Sequence, residues 1–247
     1  MAAHAPSLLD CEPQRPWRKA AYARSRIGTS MNEDMLIVHE IYRSIQGESS
    51  LAGLPCTFVR LTGCNLRCIW CDTPEAFSGG TRLQRGEVRE RALSLGTELV
   101  EVTGGEPLLQ AGCVHLLREL CDAGRTVLLE TSGERDLSGV DPRVRRIMDL
   151  KAPGSGELAR NRWQNLALLG KQDEIKFVLA DRRDYVWARD IIRNQKLEQR
   201  VGEVLLSAVH GVLEPRRLVE WTLKDGLEVR VQLQLHKLIW GADARGV

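Results

Sequence analysis

Strand-like and helix-like segments alternate along this chain from Met35 onward, and this alternation limits the possible folds more than any other feature. Short apolar runs are followed by segments whose apolar residues recur at helical spacing, a pattern typical of βαβ units and a parallel sheet. Strands are predicted at residues 36–41, 56–61, 98–103, 125–131, 146–150, 173–179, 203–207 and 227–235, and helices at residues 86–95, 110–123, 183–194 and 214–224.

The number of predicted repeats sets the architecture. About six βα units are too few to close an eight-stranded barrel, so we expect an α/β fold that is a partial, laterally open barrel. A chain of 247 residues can form one such domain, which we assign to residues 35–247. Residues 1–34 are rich in Pro, Arg and Ala without sustained periodicity, which predicts a flexible N-terminal tail.

Composition excludes several classes of partner. The net charge of +2, from 35 basic and 33 acidic side chains, favours neither nucleic acid nor an acidic membrane as a ligand. No apolar run approaches the roughly 18 residues that span a bilayer, and prolines and acidic residues interrupt any secretion signal in residues 1–34. Seven cysteines, an odd number, are typical of a reducing compartment, so we expect a cytoplasmic protein.

Unusual residues stand where the predicted strands end. Parallel α/β sheets bind ligands at the carboxyl ends of their strands, so we expect a ligand site at this edge. The residues that follow the strands there are Gly104 and Gly105, residues 130–133, Asp149, Leu150 and Lys151, and Ser207, Ala208, Val209 and His210.

Three cysteines lie close together in the loop after the second predicted strand. Cys64, Cys68 and Cys71 form a C-x3-C-x2-C pattern. Cys thiolates hold iron–sulfur clusters, usually four to a cubane, so three would leave one iron free for a small molecule. A structural zinc knuckle is the alternative, but zinc would want a second tight pair of Cys or His, which the chain lacks. We expect no ligand role for the remaining cysteines, Cys11, Cys56, Cys113 and Cys121.

This cysteine spacing resembles the signature of the radical S-adenosylmethionine (SAM) enzymes, in which SAM chelates the free iron. The stretch Thr103-Gly-Gly-Glu-Pro107 one strand downstream resembles a second motif of that superfamily. Glycines without a Cβ atom let the backbone approach a ligand closely, although such a turn can also simply reverse the chain. The resemblance implies one [4Fe-4S] cluster per chain, on the three cysteines, with SAM as a further cofactor.

The same resemblance assigns a set of SAM-binding residues. Glu130 and Ser132 can accept bonds from ribose hydroxyls, or Ser132 can cap a helix. Lys151 can neutralise a carboxylate, or it is an ordinary surface lysine, and Trp70 packs either near adenine or in the core. The expected SAM site comprises Trp70, Cys71, Asp72, Gly105, Glu130, Ser132, Asp149, Leu150, Lys151, Ser207, Ala208, Val209 and His210.

Flanking motifs resemble one family within that superfamily. They are the stretch Ser44-Ile-Gln-Gly-Glu48, Arg60 before the cysteines, Asp72-Thr73 after them, and the terminal Gln234-Leu-His-Lys237 and Arg245-Gly-Val247. Together they resemble the 7-carboxy-7-deazaguanine synthase family from about Met35 to the C-terminus. The chain departs from the family pattern at Ser49, where many members carry Gly, and at Ala208, where Pro is common, which affects local loop geometry.

The family resemblance implies a lyase of queuosine precursor biosynthesis that contracts the ring of 6-carboxy-5,6,7,8-tetrahydropterin to 7-carboxy-7-deazaguanine and ammonia, with SAM acting catalytically. It also implies Mg²⁺ at Thr73, whose hydroxyl can instead bond its own backbone in a turn. The implied partners are an electron donor such as flavodoxin and a second copy in a homodimer. The expected substrate-binding residues are Ile45, Gln46, Gly47, Glu48, Arg60, Thr103, His236 and the carboxylate of Val247.

Other interpretations fit parts of the pattern. Gln46 and Glu48 can simply cap a turn at Gly47, and the terminus can fray. A glycyl-radical-enzyme activase also uses C-x3-C-x2-C on a small partial barrel, but it would leave the Gln-Gly-Glu stretch without a role. A non-enzymatic iron–sulfur or zinc carrier would need neither Gly104-Gly105 nor the flanking motifs. The sequence therefore favours the enzyme.

Overall fold

Nine strands form a single sheet in the computed structural model, which describes residues 33–247. They are β1 (Met35–Ile45), β2 (Pro55–Leu61), β3 (Thr81–Gln84), β4 (Leu99–Gly104), β5 (Thr126–Thr131), β6 (Arg145–Asp149), β7 (Glu174–Leu179), β8 (Glu203–Ala208) and β9 (Arg230–Gln232). Their order is β3-β1-β2-β4-β5-β6-β7-β8-β9. From β2 to β9 all neighbours pair in parallel, whereas β1 runs antiparallel to both β2 and β3. The sheet stays open, which confirms the expected laterally open α/β architecture.

Six helices accompany the described strands: α1 (Arg85–Ser94), α2 (Gly112–Asp122), α3 (Arg182–Gln195), α4 (Leu197–Arg200), α5 (Pro215–Asp225) and α6 (Leu235–Trp240). The apolar faces of α1, α2, α3 and α5 pack on one face of the sheet in the main core, which contains Val88, Leu116, Ile192 and Leu218. Among the described residues, no helix is long and apolar enough to cross a membrane.

Alternation along the parallel strands decides which residues face the helices and which face the ligand site. Val59, Val102 and Phe177 lie in the main core, while their neighbours Arg60, Thr103 and Lys176 line a cavity. A second, smaller cluster closes the concave face toward the amino ends of the strands and consists of Cys56, Phe58, Leu99, Leu128, Ile147 and Leu205. The polar residues therefore gather at the carboxyl ends.

The structure departs from the predicted elements in three places. Strand β3 was not predicted, because its four residues show no apolar alternation and gain their pairing from β1. The strand predicted at 227–235 was too long, since β9 ends at Gln232 and α6 begins at Leu235. The short helix α4, between α3 and β8, was not predicted either. The tail predicted for residues 1–34 lies outside the described residues except for Glu33 and Asp34, and the single domain stays a prediction.

Candidate active site

One cavity of about 480 Å³ opens at the carboxyl ends of the parallel strands, as the sequence predicted. Strands β1, β2, β4, β5, β6, β7 and β8 all contribute lining residues. Every residue predicted to bind the cluster, SAM, Mg²⁺ or the substrate lines it, with the exception of Leu150. The side chain of Leu150 is buried in the core instead, so only its backbone is available to a ligand.

The three cysteines face this cavity from the cysteine loop, residues 62–73. Burial raises the pKa of each thiol, and the ammonium group of Lys151 partly opposes that rise. The other described cysteines lie outside the cavity, so it offers three thiols, which fits a cubane with one open iron. Among residues 33–247, no group of three or more Cys, His, Asp or Glu side chains is arranged to hold a single metal ion.

Two glycines bring the end of β4 against the cysteine loop. A Cβ atom on Gly104, whose φ is +146°, would lie 2.1 Å from the carbonyl oxygen of Leu61. On Gly105 it would lie 2.3 Å from that of Gly63 and 2.7 Å from the Cβ of Cys64. The glycine pair therefore serves close backbone packing that positions the first cluster cysteine, a role beyond the ligand approach expected from the sequence.

Glu106 connects this turn to the end of β5. Its side chain is fully buried and accepts hydrogen bonds from the Thr131 hydroxyl at 2.9 Å and from the backbone N–H of Ser132 at 2.8 Å. The Ser132 hydroxyl also donates to it, at 2.5 Å, so Ser132 does not cap a helix. Sequence reasoning quoted Glu106 in the Gly-Gly motif but missed its role, although an acidic residue next to a buried strand end signals a need for donors.

Lys151 and Trp70 lie beside the cysteine loop. The ammonium of Lys151 is 2.7 Å from a carboxylate oxygen of Asp149, and both side chains are largely buried, so Lys151 is not an ordinary surface lysine. The Trp70 ring lies over Gly154, where a Cβ atom would come within 3.1 Å of it. These positions suit a site for a zwitterionic ligand, since they offer a cation, an anion and an aromatic surface together.

Arg60 is held by residues of β1. Its Nε is 2.7 Å from Glu40, and its Nη2 donates to the Tyr42 hydroxyl at 3.0 Å. Tyr42 stacks on Phe58 with ring centroids 5.1 Å apart, so the tyrosine is itself fixed. The bonds made by these two guanidinium nitrogens hold Arg60 in one orientation within the cavity. The planar group can there bind an anion as a rigid fork. The sequence did not predict Glu40 or Tyr42 as its supports.

Five side chains form a connected group at the base of the cavity, which we call the floor ring: Gln46, Glu48, Glu101, Glu130 and Lys176. The Gln46 amide donates to Glu101 and accepts from the backbone N–H of Glu48 at 2.8 Å. Lys176 donates to Glu130 and, at 3.0 Å, to Glu48. Gln46 therefore caps the turn at Gly47, as one sequence interpretation had it.

The sequence missed Glu101 and Lys176. Glu101 is the single charged residue of β4, and Lys176 lies within the apolar run of β7, which begins at Glu174; each is almost fully buried. Buried charges are rarely left unpaired, so a Glu inside one apolar strand and a Lys inside another were a usable signal for a polar site.

The C-terminal segment covers the other side of the cavity. The imidazole of His236 occupies the space beside Gly47, where a Cβ atom would lie 2.2 Å from its Nδ1. Gln234 donates to Glu48 at 2.7 Å and to Asp72 at 3.1 Å. Val247 lines the cavity as well. The C-terminal residue therefore lies at the site.

Thr73, the predicted magnesium ligand, lines the cavity two residues after Cys71. Its hydroxyl donates to a carboxylate oxygen of Asp72 at 3.2 Å. Lys237 lies 3.3 Å from the other oxygen of that carboxylate. The hydroxyl oxygen of Thr73 and the carboxylate oxygens of Asp72 are hard ligands of the type that Mg²⁺ prefers. The local chemistry therefore fits the ion.

Comparison with known proteins agrees with this geometry. The sequence model of the Radical SAM superfamily matches residues 58–154, which include the cysteine loop and the strand ends at Gly105, Ser132 and Lys151. The crystal structure of QueE from Escherichia coli superimposes with a TM-score of 0.64 at 21% identity, covering 80% of this chain and 94% of that one. That likeness shows a shared fold.

Two curated relatives are far closer in sequence. The 7-carboxy-7-deazaguanine synthase of Koribacter versatilis is 46% identical over 85% of this chain and 99% of its own length. The enzyme of the same name from Chlorobaculum tepidum is 48% identical over 87% of this chain and 99% of its own length. With the cysteine loop, the Gly-Gly turn and the cavity already in place, these matches establish that the chain belongs to the 7-carboxy-7-deazaguanine synthase family of radical SAM enzymes.

Proposed function

We propose that this chain is a lyase that converts 6-carboxy-5,6,7,8-tetrahydropterin to 7-carboxy-7-deazaguanine and ammonia. Family membership supports the reaction class. The observation that carries the proposal is a single cavity with three thiols on one wall, the oriented guanidinium of Arg60 on another and the polar floor ring between them. Such a cavity suits a cluster, SAM and a polar, carboxylated heterocycle together.

The cofactors are a [4Fe-4S] cluster, SAM and Mg²⁺. Cys64, Cys68 and Cys71 would hold the cluster, and the backbone at Gly105 with Asp149 and Lys151 would contribute to the SAM site, together with the remaining predicted SAM residues. When bound, the reduced cluster and SAM supply the carbon radical that starts the rearrangement. The chain itself binds and orients the reactants and shields them from water.

The substrate site follows from the remaining walls. Arg60 offers a planar fork for the pterin carboxylate, or for that carboxylate beside an ion at Thr73. Glu48 and Glu130 can accept hydrogen bonds from the donor edge of the pyrimidine ring. Ile45, Gln46 and Gly47 would form the wall of the substrate pocket next to Glu48, where Glu101 and the Glu48 backbone hold the Gln46 side chain. Thr103, His236 and the Val247 carboxylate complete the proposed pocket.

Partners and location belong to the same proposal. An electron donor such as flavodoxin is required, since cluster chemistry of this kind begins with one-electron reduction. A homodimer is supported by the exposed apolar side chains of α6, Leu238, Ile239 and Trp240, which are 63%, 56% and 43% exposed. A cytoplasmic location is supported by the odd cysteine count.

Anaerobic reconstitution of the full chain with iron and sulfide, followed by mass spectrometry, tests the proposal. We expect carboxydeazaguanine to form from carboxytetrahydropterin only when SAM and a reductant are both present. Installation of a glycyl radical on a protein would instead show an activase, and cluster binding without SAM cleavage would show a carrier. Either result would contradict the lyase assignment.

A further inference from the structure

The floor ring contains one cation. Lys176 on β7 bonds Glu48 and Glu130, and Gln46 bonds the Glu48 backbone and Glu101, so four hydrogen bonds connect the five side chains. Its members come from β4, β5, β7 and the turn after β1, so the ring spans most of the width of the site. Lys176 is the one member that contacts two carboxylates.

The charges in this ring are balanced through Lys176. Burial alone would lower the pKa of the lysine, but Glu130 and Glu48 outweigh it and raise that pKa. Burial would likewise raise the pKa of Glu130, and Lys176 lowers it. Burial and the charge of Glu130 together raise the pKa of Glu101. Without the lysine, Glu48 and Glu130 would face each other as uncompensated anions.

A purely structural role accounts poorly for this arrangement. A buried ion pair is usually no more stabilising than well-packed apolar residues of similar volume. Lys176 also faces the cavity, whereas its neighbours Ile175 and Phe177 on β7 fill the core. The backbone N–H of Glu48, which donates to the Gln46 side chain, lies in the turn that is proposed to hold the substrate. The ring thus connects Lys176 to the substrate wall, away from the thiols.

We propose that Lys176 is a positioning residue for the pterin, which holds Glu48 and Glu130 as two oriented acceptors for the donor edge of the pyrimidine ring and, through Glu48, fixes the turn at Gly47. This inference rests on the proposed lyase function. Lys176 would not touch the reacting carbon; it would act through the two carboxylates. Its loss would therefore weaken pterin binding while leaving SAM cleavage intact.

A pH signature follows from the charges around the lysine. Lys176 lowers the pKa of Glu130, so its removal should raise that pKa and move the acid limb of kcat/KM for the pterin to higher pH. The titratable groups that face this region are Glu48 in the turn after β1, Glu101 on β4, Glu130 on β5, Asp149 and Lys151 at the end of β6, Asp72 in the cysteine loop and His236 on α6.

The test compares Lys176→Met and Lys176→Arg in the reconstituted holoenzyme with Lys224→Met, the same change at an exposed lysine on α5. For Lys176→Met we expect KM for carboxytetrahydropterin to rise about tenfold or more and the acid limb to move upward. SAM cleavage without pterin should stay within about twofold of the wild type. Lys176→Arg keeps the charge, so its acid limb should stay in place while KM rises about threefold, because the fork changes the geometry. Lys224→Met should match the wild type.

Several outcomes would overturn the inference. Unchanged KM and pH profile in Lys176→Met would show that the lysine does not position substrate. Loss of SAM cleavage in a folded variant would move Lys176 into the SAM site instead. If Lys176→Met does not fold, Lys176→Arg decides, and a wild-type KM in that variant contradicts the proposal. A wild type that does not convert the pterin removes the lyase assignment and this inference together, whereas an active wild type with a normal Lys176→Met removes only the inference.

Discussion

The cysteine loop and the floor ring line the same cavity, but they differ in how far their polar atoms are hydrogen-bonded within the chain. In the part of the chain that the structure describes, the cysteine thiols have no side-chain hydrogen-bond partner, and Cys64 accepts only a weak bond from the Leu66 backbone at 3.5 Å. The floor ring bonds its own members from end to end. The thiols of the cysteine loop therefore remain available to bind atoms from outside the chain, whereas the side chains of the floor ring are already held by one another.

The electrostatics of the two regions differ for the same reason. Burial raises the pKa of the thiols, so they become thiolates only when a metal compensates the charge. The floor ring holds its compensating cation in Lys176. Cluster assembly should thus depend on metal supply, while the substrate wall should form in the folded apoprotein. Four substitutions test this contrast.

The largest effect is expected at the cysteine loop. Cys68→Ala should abolish SAM cleavage and the charge-transfer absorption near roughly 400 nm, because two thiolates cannot hold the cubane. Iron analysis and spectroscopy of the anaerobically reconstituted protein measure this. Cys121→Ala, on α2 outside the cavity, is the control and should keep full iron content. If a variant with all three loop cysteines replaced by Ala still binds four irons per chain, the ligand assignment is wrong.

A large effect is also expected at the contact between Gly105 and Gly63, which positions the cysteine loop. Gly105→Ala would place a methyl group 2.3 Å from the Gly63 carbonyl oxygen and push Cys64 out of place. SAM cleavage should fall about a hundredfold, as a misplacement near 1 Å can cost. Gly139→Ala meets no atom within 4 Å and should behave like the wild type. Normal rates in Gly105→Ala would mean that the loop adapts and is not held by this contact.

A smaller effect is expected at the floor ring. Gln46→Ala leaves Glu101 and the Glu48 backbone N–H without their partner, which loosens the substrate turn. Carboxytetrahydropterin turnover should fall by on the order of tenfold, about 1.4 kcal/mol, while SAM cleavage without pterin survives. The matched change Gln199→Ala, at an exposed site, should have no effect. Equal losses of turnover and SAM cleavage would show that the two walls are not independent.

The smallest effect concerns magnesium. Thr73→Ala should leave the cluster spectrum and SAM binding intact and shift the Mg²⁺ activation curve to higher concentration, by about tenfold or less, because the ion keeps several other ligands. Thr81→Ala, at an exposed threonine on β3, is the control. An unchanged Mg²⁺ curve in Thr73→Ala would exclude Thr73 as a ligand.

Several features of the site could be predicted because they are local in sequence. The C-x3-C-x2-C spacing, the Gly-Gly turn and the residues that follow each strand are close along the chain or lie at a position that the sheet rule specifies. Sequence reasoning therefore found the thiols, Arg60 and Lys151. It missed β3 and α6, which depend on contacts with β1 and Gly47 rather than on their own periodicity.

By itself, the sequence determined the βα alternation, the open α/β architecture, the loop with three cysteines and the edge of the sheet where the cavity opens. Only the tertiary structure decided which polar side chains bond one another. Gln46 and Glu101 are 55 positions apart, and Lys176 and Glu48 are 128 apart. No local pattern encodes such pairs, because they form only when residues of separate strands and of the turn after β1 converge. Their partners, rather than their identities, decide which groups remain free to bind a ligand.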